Sequence, residues 1–346
     1  MIKPNILLAL PLAIGVLTGC ASNGQDGPNL ADTQAVNIPK AVMAPSADDL
    51  KAEHRIIMLP FEYAETHHAS VAYTSYNELE QAMMSSGNSM IERDIALKMR
   101  DELLVAEKTG KYRTSGLQAA DIAVMAKVVK GGYSSSFSER DSWTDKKGKT
   151  HVTPASCEFR ADVTLHIRVY RLPEMSQMGT FEFDGRSSSD TETNNSKCPI
   201  TEGQVNSLLK NASSVAVREH QYKLLNTLVP PFFVLERRQK PGQRDEALFR
   251  TTLSNTKGAK AGAKVNFFRR ELKQNPLTNE QTVEEILITE GTITKEIDSN
   301  GSYVLVEKEA VINKLQLGDV VKIEHDRCPD GFYWFLGSCH KSLNVF

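Results

Sequence analysis

Two consecutive prolines, Pro230 and Pro231, divide this chain of 346 residues into two parts with different sequence patterns. Proline has no backbone N–H to donate and disfavours helical geometry in the residue before it, so the helical pattern of residues 206–228 must end there. Helix and strand patterns alternate before the prolines, whereas only short strand patterns follow them. Because 40% of the residues are hydrophobic, each part is able to bury a core, and we predict domains at 51–229 and 230–326.

The first part has the pattern of a mixed sheet with packed helices. Continuous apolar runs predict buried strands at 55–61 and 121–129, and alternating apolar residues predict a long hairpin that begins at 161–171. The segments 62–86 and 131–154 are polar and lack a regular apolar period. We therefore predict that both form long loops between the strands.

Two helices are predicted in the same part. Ser89 and Glu92 have capping-box spacing, and apolar residues recur every four positions after them, which predicts a helix over 90–109 that stops at Gly110. A second helical pattern covers 206–228 and closes the domain at the double proline. These elements together predict an α+β fold in which the helices pack on the sheet.

The second part has the pattern of a small all-β domain with a barrel-like shape. Short strand patterns are separated by glycine-rich turns, and Asp298 to Gly301 has the composition of a hairpin turn. The predicted strands cover 247–253, 263–268, 285–297, 302–306 and 320–323. Such modules usually bind or brace other proteins.

The amino terminus has the layout of a secretory signal, with an apolar run up to Val16. Leu17-Thr-Gly-Cys20 resembles the lipobox of bacterial lipoproteins, which implies that residues 1–19 are removed and that Cys20 carries a diacylglyceryl and an N-acyl lipid. That lipid is the only non-protein group we expect, because no cofactor motif is present. Residues 20–50 are polar and predict a flexible tether. Since no Asp follows Cys20, the resemblance favours the periplasmic face of the outer membrane over the inner membrane.

Four further cysteines, an even number, predict two disulfides in an exported protein. Three pairings are possible. Cys328 and Cys339 share a short tail, whereas Cys157 and Cys198 flank the predicted hairpin, so we predict these two pairs. A zinc site is the alternative, but no Cys-x-x-Cys pair is present and we predict no metal.

Four adjacent aromatic residues lie in the tail, 327–346, inside the loop that the last two cysteines would close. They could form a knob that docks to a partner, since aromatic residues concentrate at binding hot spots, or they could pack on their own β domain. The sequence leaves both interpretations open. The four candidate docking residues are Phe332, Tyr333, Trp334 and Phe335.

The remaining polar clusters do not predict a catalytic or metal site. His67 and His68 are adjacent in a predicted loop, and we interpret them as a solvated pair. The acidic residues nearby, Glu62, Glu65, Glu78 and Glu80, are not placed together on one rigid face, as general acid–base chemistry would need. A formal net charge of −2 gives no basic field for nucleic acid. We therefore predict no catalytic residue and no nucleic-acid partner.

Two short motifs carry a family resemblance. The strand that begins at Ile57-Met-Leu-Pro-Phe61 and the run Ala119-Ala-Asp-Ile-Ala-Val-Met-Ala-Lys-Val128 are similar to the core strands of the curli secretion-channel lipoproteins. The same α/β core recurs in the TolB amino-terminal domain and in lipoprotein activators of penicillin-binding proteins. The trailing β domain resembles the carboxy-terminal domain of the flagellar H-ring protein. The resemblance covers about residues 54–229 and the module after it.

The resemblance implies a non-catalytic scaffold or ring component of an envelope machine for secretion, a flagellum or a pilus. Its partners would be the membrane, through the lipid anchor, and envelope proteins that include further copies of itself. A curli-like export channel is one alternative, but segments 133–154 and 187–197 are polar and lack the apolar row that lipid-facing strands need. Activation of a peptidoglycan synthase is the other alternative, and an enzyme with an unrecognised site remains a third.

Overall fold

The computed structural model describes residues 28–47, 49–50, 55–110 and 120–327, apart from the side chain of His67, together with the backbone of 332–335 and 338–341. The α-helices of this part are α1 (Ala69–Ser85), α2 (Arg93–Thr109), α3 (Glu202–Leu228) and α4 (Glu309–Ile312). Strands of the first unit are β2 (Arg55–Met58), β3 (Ser89–Met90), β4 (Ile122–Ser138), β5 (Asp141–Thr144), β6 (Thr150–Thr153), β7 (Ser156–Arg171) and β8 (Ser176–Glu192). The remaining strands are β1 (Gln34–Val36), β9 (Phe232–Gln239), β10 (Glu246–Thr251), β11 (Lys264–Gln274), β12 (Gln281–Asp298), β13 (Gly301–Glu307), β14 (Val320–Ile323), β15 (Phe332–Phe335) and β16 (Ser338–Lys341).

The first unit is built on a mixed five-stranded sheet with the order β3-β2-β4-β7-β8. The pairs β2–β3 and β2–β4 are parallel, whereas β4–β7 and β7–β8 are antiparallel. Four consecutive apolar residues from Ile56 to Leu59 are all buried, because helices cover both faces of the sheet at this strand. Ile56 and Met58 pack with α1 and α3, and Ile57 and Leu59 pack with α2.

Helix α1 occupies the segment that the sequence predicts as the loop 62–86, so that prediction is wrong. The helix is not apparent from apolar spacing because its buried stripe includes a serine: Val71, Ser75, Leu79 and Met83 follow one another at four-residue intervals and are all fully buried. The hydroxyl of Ser75 lies 2.5 Å from the hydroxyl of Ser213 in α3. A buried polar pair between two helices therefore stands where the apolar pattern of a helix would place a hydrophobic contact.

The other two long helices differ from the sequence prediction mainly at their starts. Helix α2 begins at Arg93 without a side-chain cap, because Ser89 and Met90 pair with β2 as strand β3 and are not available as a capping box. It ends, as predicted, at Gly110, whose backbone is left-handed at φ 64°. Helix α3 starts earlier than predicted, at a capping box formed by Thr201 and Gln204.

The predicted loop 131–154 is also wrong, because most of it is strand. Strand β4 continues to Ser138 in unbroken pairing with β7 after one bulge at Val128 and Lys130, and residues 141–153 form a hairpin of their own. The outer part of β4 has only Tyr133 and Phe137 among glycines and serines, so its apolar period is weak. The partner strand β7, whose alternation is strong, decides its conformation.

The second unit is a closed barrel of six strands, in the order β9-β10-β13-β12-β11-β14, and the pairing of β14 with β9 closes it. Its core includes Phe249 and Phe267, whose rings meet edge to face with centroids 5.9 Å apart. The small β domain predicted from the sequence is therefore present, and the double proline lies between α3 and the first barrel strand.

Part of the predicted tether 20–50 is wrong, because residues before the first domain are attached to the barrel. Strand β1 pairs antiparallel with the end of β9, Ile38 is buried in the barrel core, and the backbone N–H of Ala41 donates to Leu317. We call residues 34–45 the strap. Strand pairing and burial of Ile38 offset the entropy that a free tether would keep. Residues 20–27 lie outside the described residues.

The two units meet through close backbone contacts. Gly87, after α1, has φ +83°, and a Cβ there would lie 2.4 Å from the carbonyl group of Lys257 in the barrel. The side chain of Asn226 in α3 accepts from the backbone N–H of His325 and donates to its carbonyl oxygen, at 2.8 and 2.9 Å. Each contact needs a specific residue, glycine in one case and a paired amide in the other.

Candidate interaction surface

The two faces of strand β7 differ along its whole length. Side chains on one face are buried against α1 and α3, from Cys157 at the outer end to Val169 at the inner end. We call this the covered face. Side chains on the other face, from Glu158 to Arg168, are exposed or half-buried, because α2 covers only the inner end of this face. We call the part of this face outside α2 the open face.

Charged side chains of β7 and β8 form a hydrogen-bonded group on the open face. The Asp162 carboxylate accepts from Arg186 Nε at 2.9 Å and from Arg160 at 3.3 Å. The hydrogen bond from Arg186 lowers the pKa of Asp162, and burial opposes this only in part. Since these groups are largely solvated, each pair contributes at most about 1 kcal/mol to stability. The main effect of these charged side chains is therefore to give the open face a defined charge pattern, and their effect on the stability of the fold is small.

The charge on this surface changes sign across the sheet. Lys127 and Lys130 lie on β4, at one side. Glu182 and Asp184 lie in the same cross-strand rows on β8, at the other side, because Lys127 pairs with His166, which pairs with Glu182. A surface that is basic at one edge and acidic at the other is complementary to a second copy placed beside it in the same orientation.

Both edges of the outer sheet are unpaired within the described residues. Strand β8 pairs only with β7, over its full length. On the other side of the sheet, β4 also bonds outside its pairing with β7: the Val128 N–H donates to Glu62, and the Gly131 carbonyl oxygen lies 2.7 Å from His68 Nε2. Beyond Gly131, β4 runs on to Ser138 without pairing to another strand on this side. Unpaired strand edges present rows of N–H and C=O groups that pair readily with another strand.

A disulfide between Cys157 and Cys198, one of the two pairs that the sequence predicts, ties the outer end of the covered face to the loop before α3. Both cysteines are buried, and their Cα atoms are 5.5 Å apart. The second predicted pair stays a prediction: Cys339 lies in strand β16, opposite Trp334, but Cys328 lies outside the described residues.

A cleft of about 910 Å³ separates the start of β4 from the barrel. Arg171 and Asp121 line it on one side, and Arg270, Glu285 and Lys322 line it on the other. Burial disfavours the Glu285 carboxylate, but the hydrogen bond from Lys322 and the charges of Lys322 and Arg270 outweigh this and lower the pKa of Glu285. The negative charge of Glu285 is thus balanced by Lys322 and Arg270 of the same unit, and the cleft presents no concentrated charge of one sign.

The other residues singled out in the sequence are dispersed. His68 is buried and its Nε2 lies 2.7 Å from the carbonyl oxygen of Gly131, so the interpretation of a solvated pair is wrong for this residue. Glu78 is hydrogen-bonded to Ser214 of α3, and Glu80 accepts from Tyr76 at 3.1 Å. Neither arrangement brings two carboxylates together.

The tail and the lipid site are described only in part. Strands β15 and β16 form a hairpin in which Phe332 pairs with Lys341, and the backbone of β15 runs close to α3. The side chains of Phe332, Tyr333, Trp334 and Phe335 are outside the description, so a docking role for them stays a prediction. Cys20, the predicted lipidation site, also lies outside the described residues.

The part of the chain that the structure describes has neither a metal-binding cluster nor a membrane-spanning helix. These residues contain no group of three or more His, Cys, Asp or Glu side chains that could hold a metal ion. None of their helices is both long enough and apolar enough to cross a membrane.

No protein-family model and no curated protein sequence matches this chain. Among solved structures, a hypothetical protein from Chlamydia trachomatis is 13% identical and aligns over 51% of this chain and 98% of its own, with a TM-score of 0.30. A lipoprotein from Neisseria meningitidis is 10% identical over 45% of this chain and 92% of its own, with a TM-score of 0.22. A PelC dodecamer from Paraburkholderia phytofirmans is 12% identical over 53% and 97%, with a TM-score of 0.21. At TM-scores this low, the likenesses support no conclusion about the function of this chain.

Proposed function

We propose that this protein is a non-catalytic scaffold of the bacterial envelope, anchored by a lipid on Cys20 to the periplasmic face of the outer membrane. It assembles with further copies of itself, or with strands of a partner machine, through the outer part of β4, β7 and β8. The observation that carries the proposal is the pair of unpaired edges on one sheet, with basic residues toward one edge and acidic residues toward the other. Edges of this kind are normally blocked or covered in proteins that act alone.

The same strands argue for a periplasmic assembly over a curli-like channel. Insertion of the outer strands into lipid would place Arg160, Asp162 and Arg186 on a lipid-facing side, which is costly near the middle of a bilayer. The disulfide and α3 hold these strands against the body of the protein on the covered face. Both features fit a sheet that remains in water and binds protein.

The attachment of the strap to the barrel favours a lipid anchor that holds the folded protein close to the membrane. Only residues 21–27 lie between Cys20 and the first described residue, Pro28, and this segment spans at most about 30 Å when fully extended. A short connection of this kind suits a component that works beside its membrane. It is less suited to the activator alternative, in which a long tether crosses the periplasm.

The test is light scattering on the mature chain, residues 20–346, with Cys20→Ser to remove the lipid. We expect an oligomer, which the charge reversals Lys127→Glu with Lys130→Glu on β4 dissociate. The reversal Glu182→Lys on β8 has the same effect, and mixing the two variants restores assembly, because the reversed edges match each other.

Crosslinking of intact cells, followed by purification through a tag after Phe346, identifies proteins other than further copies of this chain that bind to it. Recovery of components of one envelope machine in large complexes supports the scaffold. A monomer in solution together with a small complex that contains a peptidoglycan synthase would overturn the proposal in favour of the activator.

A further inference from the structure

The β5–β6 hairpin at the outer end of the sheet is a preorganised element. Asp141 pairs with Thr153 and Trp143 pairs with His151 across the two strands. The turn is held by one carboxylate: Asp145 accepts from the backbone N–H groups of Lys147 and Lys149 at 2.8 and 3.0 Å. Its other oxygen lies 3.3 Å from His151 Nε2. The hairpin therefore has a register and a turn fixed by its own hydrogen bonds.

An indole ring is exposed on one face of this hairpin. Trp143 stacks on His151 with ring centroids 4.5 Å apart and an angle of 15° between the planes. The side chain of Trp143 nevertheless remains 55% exposed, so the ring face opposite His151 is open to solvent. Tryptophan joins a large apolar ring to a polar N–H, which is why it is enriched at interfaces and at membrane surfaces, where one side is apolar and the other is wet.

Three lysines project from the turn beside this ring. Lys146, Lys147 and Lys149 are exposed, and within the described residues no ion pair joins any of them to a carboxylate. The one acidic residue of the turn, Asp145, is directed inward to the backbone amides and to His151. The tip of the hairpin is therefore locally basic, although the chain as a whole has a formal net charge of −2.

We propose that this hairpin binds an anionic lipid surface, with the three lysines at the headgroup phosphates and Trp143 at the level of the membrane interface. Tryptophan and lysine together are typical of segments that lie at a bilayer surface: the amphipathic ring prefers the interface, and basic side chains are attracted by anionic headgroups. The proposal rests on the envelope location proposed above. It requires surface contact only, and the polar strands behind the hairpin stay in water.

The position of the hairpin gives this contact a consequence for orientation. Strand β4 has 17 residues and is about 55 Å long. The barrel and the strap lie beside its first residues, whereas the hairpin follows its last. A lipid on Cys20 and a hairpin on the same bilayer would attach the molecule at both ends of the sheet. The lipid on Cys20 attaches one end of the molecule and the hairpin attaches the other, so the two contacts together orient the sheet on the membrane.

The test uses the mature chain with Cys20→Ser and Trp334→Phe. The sequence has two tryptophans, and Trp143 is the one that this variant keeps. Vesicles of phosphatidylcholine with and without the anionic lipid phosphatidylglycerol are added at low salt, because anionic headgroups attract basic segments. We expect a blue shift of the Trp143 emission, and quenching by brominated lipid, with the anionic vesicles only. Raising the salt concentration should reverse both, because exposed charges are screened.

A matched pair of charge variants separates the hairpin from overall charge. The triple variant Lys146→Glu, Lys147→Glu, Lys149→Glu should bind the anionic vesicles about 100-fold more weakly. Three exposed lysines elsewhere, Lys98, Lys108 and Lys240, give a control variant with the same net charge, and it should bind like the parent. Circular dichroism checks that both variants fold.

Two outcomes would overturn the inference. Equal vesicle binding by the two triple variants would show that the hairpin is not the contact. Binding of the parent to purified peptidoglycan or to an acidic protein, with no binding to anionic vesicles, would assign the hairpin to that partner instead. Neither outcome bears on the lipid at Cys20, which mass spectrometry of the native protein tests separately, nor on oligomerisation, which light scattering tests.

Discussion

The covered face and the open face belong to one strand, β7, yet their alternating residues have different surroundings. On the covered face every second residue from Cys157 to Val169 is buried under α1 and α3. On the open face most of the residues between them are polar or charged, and Asp162 accepts hydrogen bonds from Arg160 and from Arg186 of β8. We infer from this difference that the covered face supplies most of the stability of the sheet, whereas the open face and the strand edges are accessible to a partner. Substitutions should therefore differ in effect by face.

The largest difference is expected at two glycines of the same sheet. Gly185 lies on the covered face, and a Cβ there would meet the carbonyl oxygen of Ala212 at 2.0 Å and the backbone nitrogen of Ala216 at 2.4 Å. Gly185→Val should push α3 away and lower the free energy of unfolding on the order of 5 kcal/mol. Gly132 pairs with Asp162 on the open face, and nothing lies within 4 Å of its would-be Cβ.

Urea unfolding of the two variants makes the comparison. Gly132→Val should change the free energy of unfolding by less than about 1 kcal/mol, because surface positions tolerate substitution. Similar losses in the two variants would contradict the division of the sheet into a stabilising face and a binding face.

The second effect concerns the disulfide on the covered face. Cys157 and Cys198 are separated by 41 residues, and closing a loop of that length in the unfolded chain corresponds to about 4 kcal/mol of stability. The double variant Cys157→Ser, Cys198→Ser should lose about this much in chemical denaturation. Binding through the open face should survive at temperatures where the variant is folded, and loss of binding without loss of stability would break the comparison.

A pH effect is expected where α3, the helix that covers the sheet, meets the barrel. Burial, with a smaller contribution from the charge of Lys260, lowers the pKa of His325 to about 4 from its usual 6.5. The folded protein therefore favours the neutral imidazole, so its contribution is fully present above pH 6.5 and is lost as the pH falls toward 4. Between pH 7.5 and pH 5 the protein should lose about 2 kcal/mol.

Thermal unfolding at a series of pH values measures this loss, with His325→Gln as the control. The variant should show a pH dependence that is flatter by the same amount, because glutamine does not titrate. An unchanged pH dependence in the variant would mean that other groups account for the acid sensitivity.

The smallest effect is expected on the open face itself. Arg186→Ala removes the donor that lies 2.9 Å from Asp162, but both side chains are solvated, so the loss should stay below about 1 kcal/mol. The same variant should weaken assembly if the open face is the contact. A stability loss as large as that of Gly185→Val would show that the charged group is structural.

Prediction from sequence succeeded where one period was strong. The alternation in β7, the helix that ends at Gly110, the closing helix before the double proline and the small barrel were all recognisable. It failed where a segment takes its structure from a partner. Helix α1 buries Ser75 against Ser213, and the outer part of β4 consists mostly of glycine and serine, with Tyr133 and Phe137 as its large apolar side chains. The hairpin with Trp143 was missed for the same reason, although Asp145 and Gly148 were a usable turn signal.

The amino-acid sequence by itself determined which segments have an apolar side to bury and where the chain must change direction, since period, proline and glycine act locally. It also limited the cysteines to three pairings. Only the tertiary structure decided that the strap joins the barrel. It also decided that the long strands leave two edges without a partner strand and one face exposed. Those features depend on contacts between residues far apart in the chain, such as Ile38 in the barrel core. Local sequence patterns do not predict contacts of this kind.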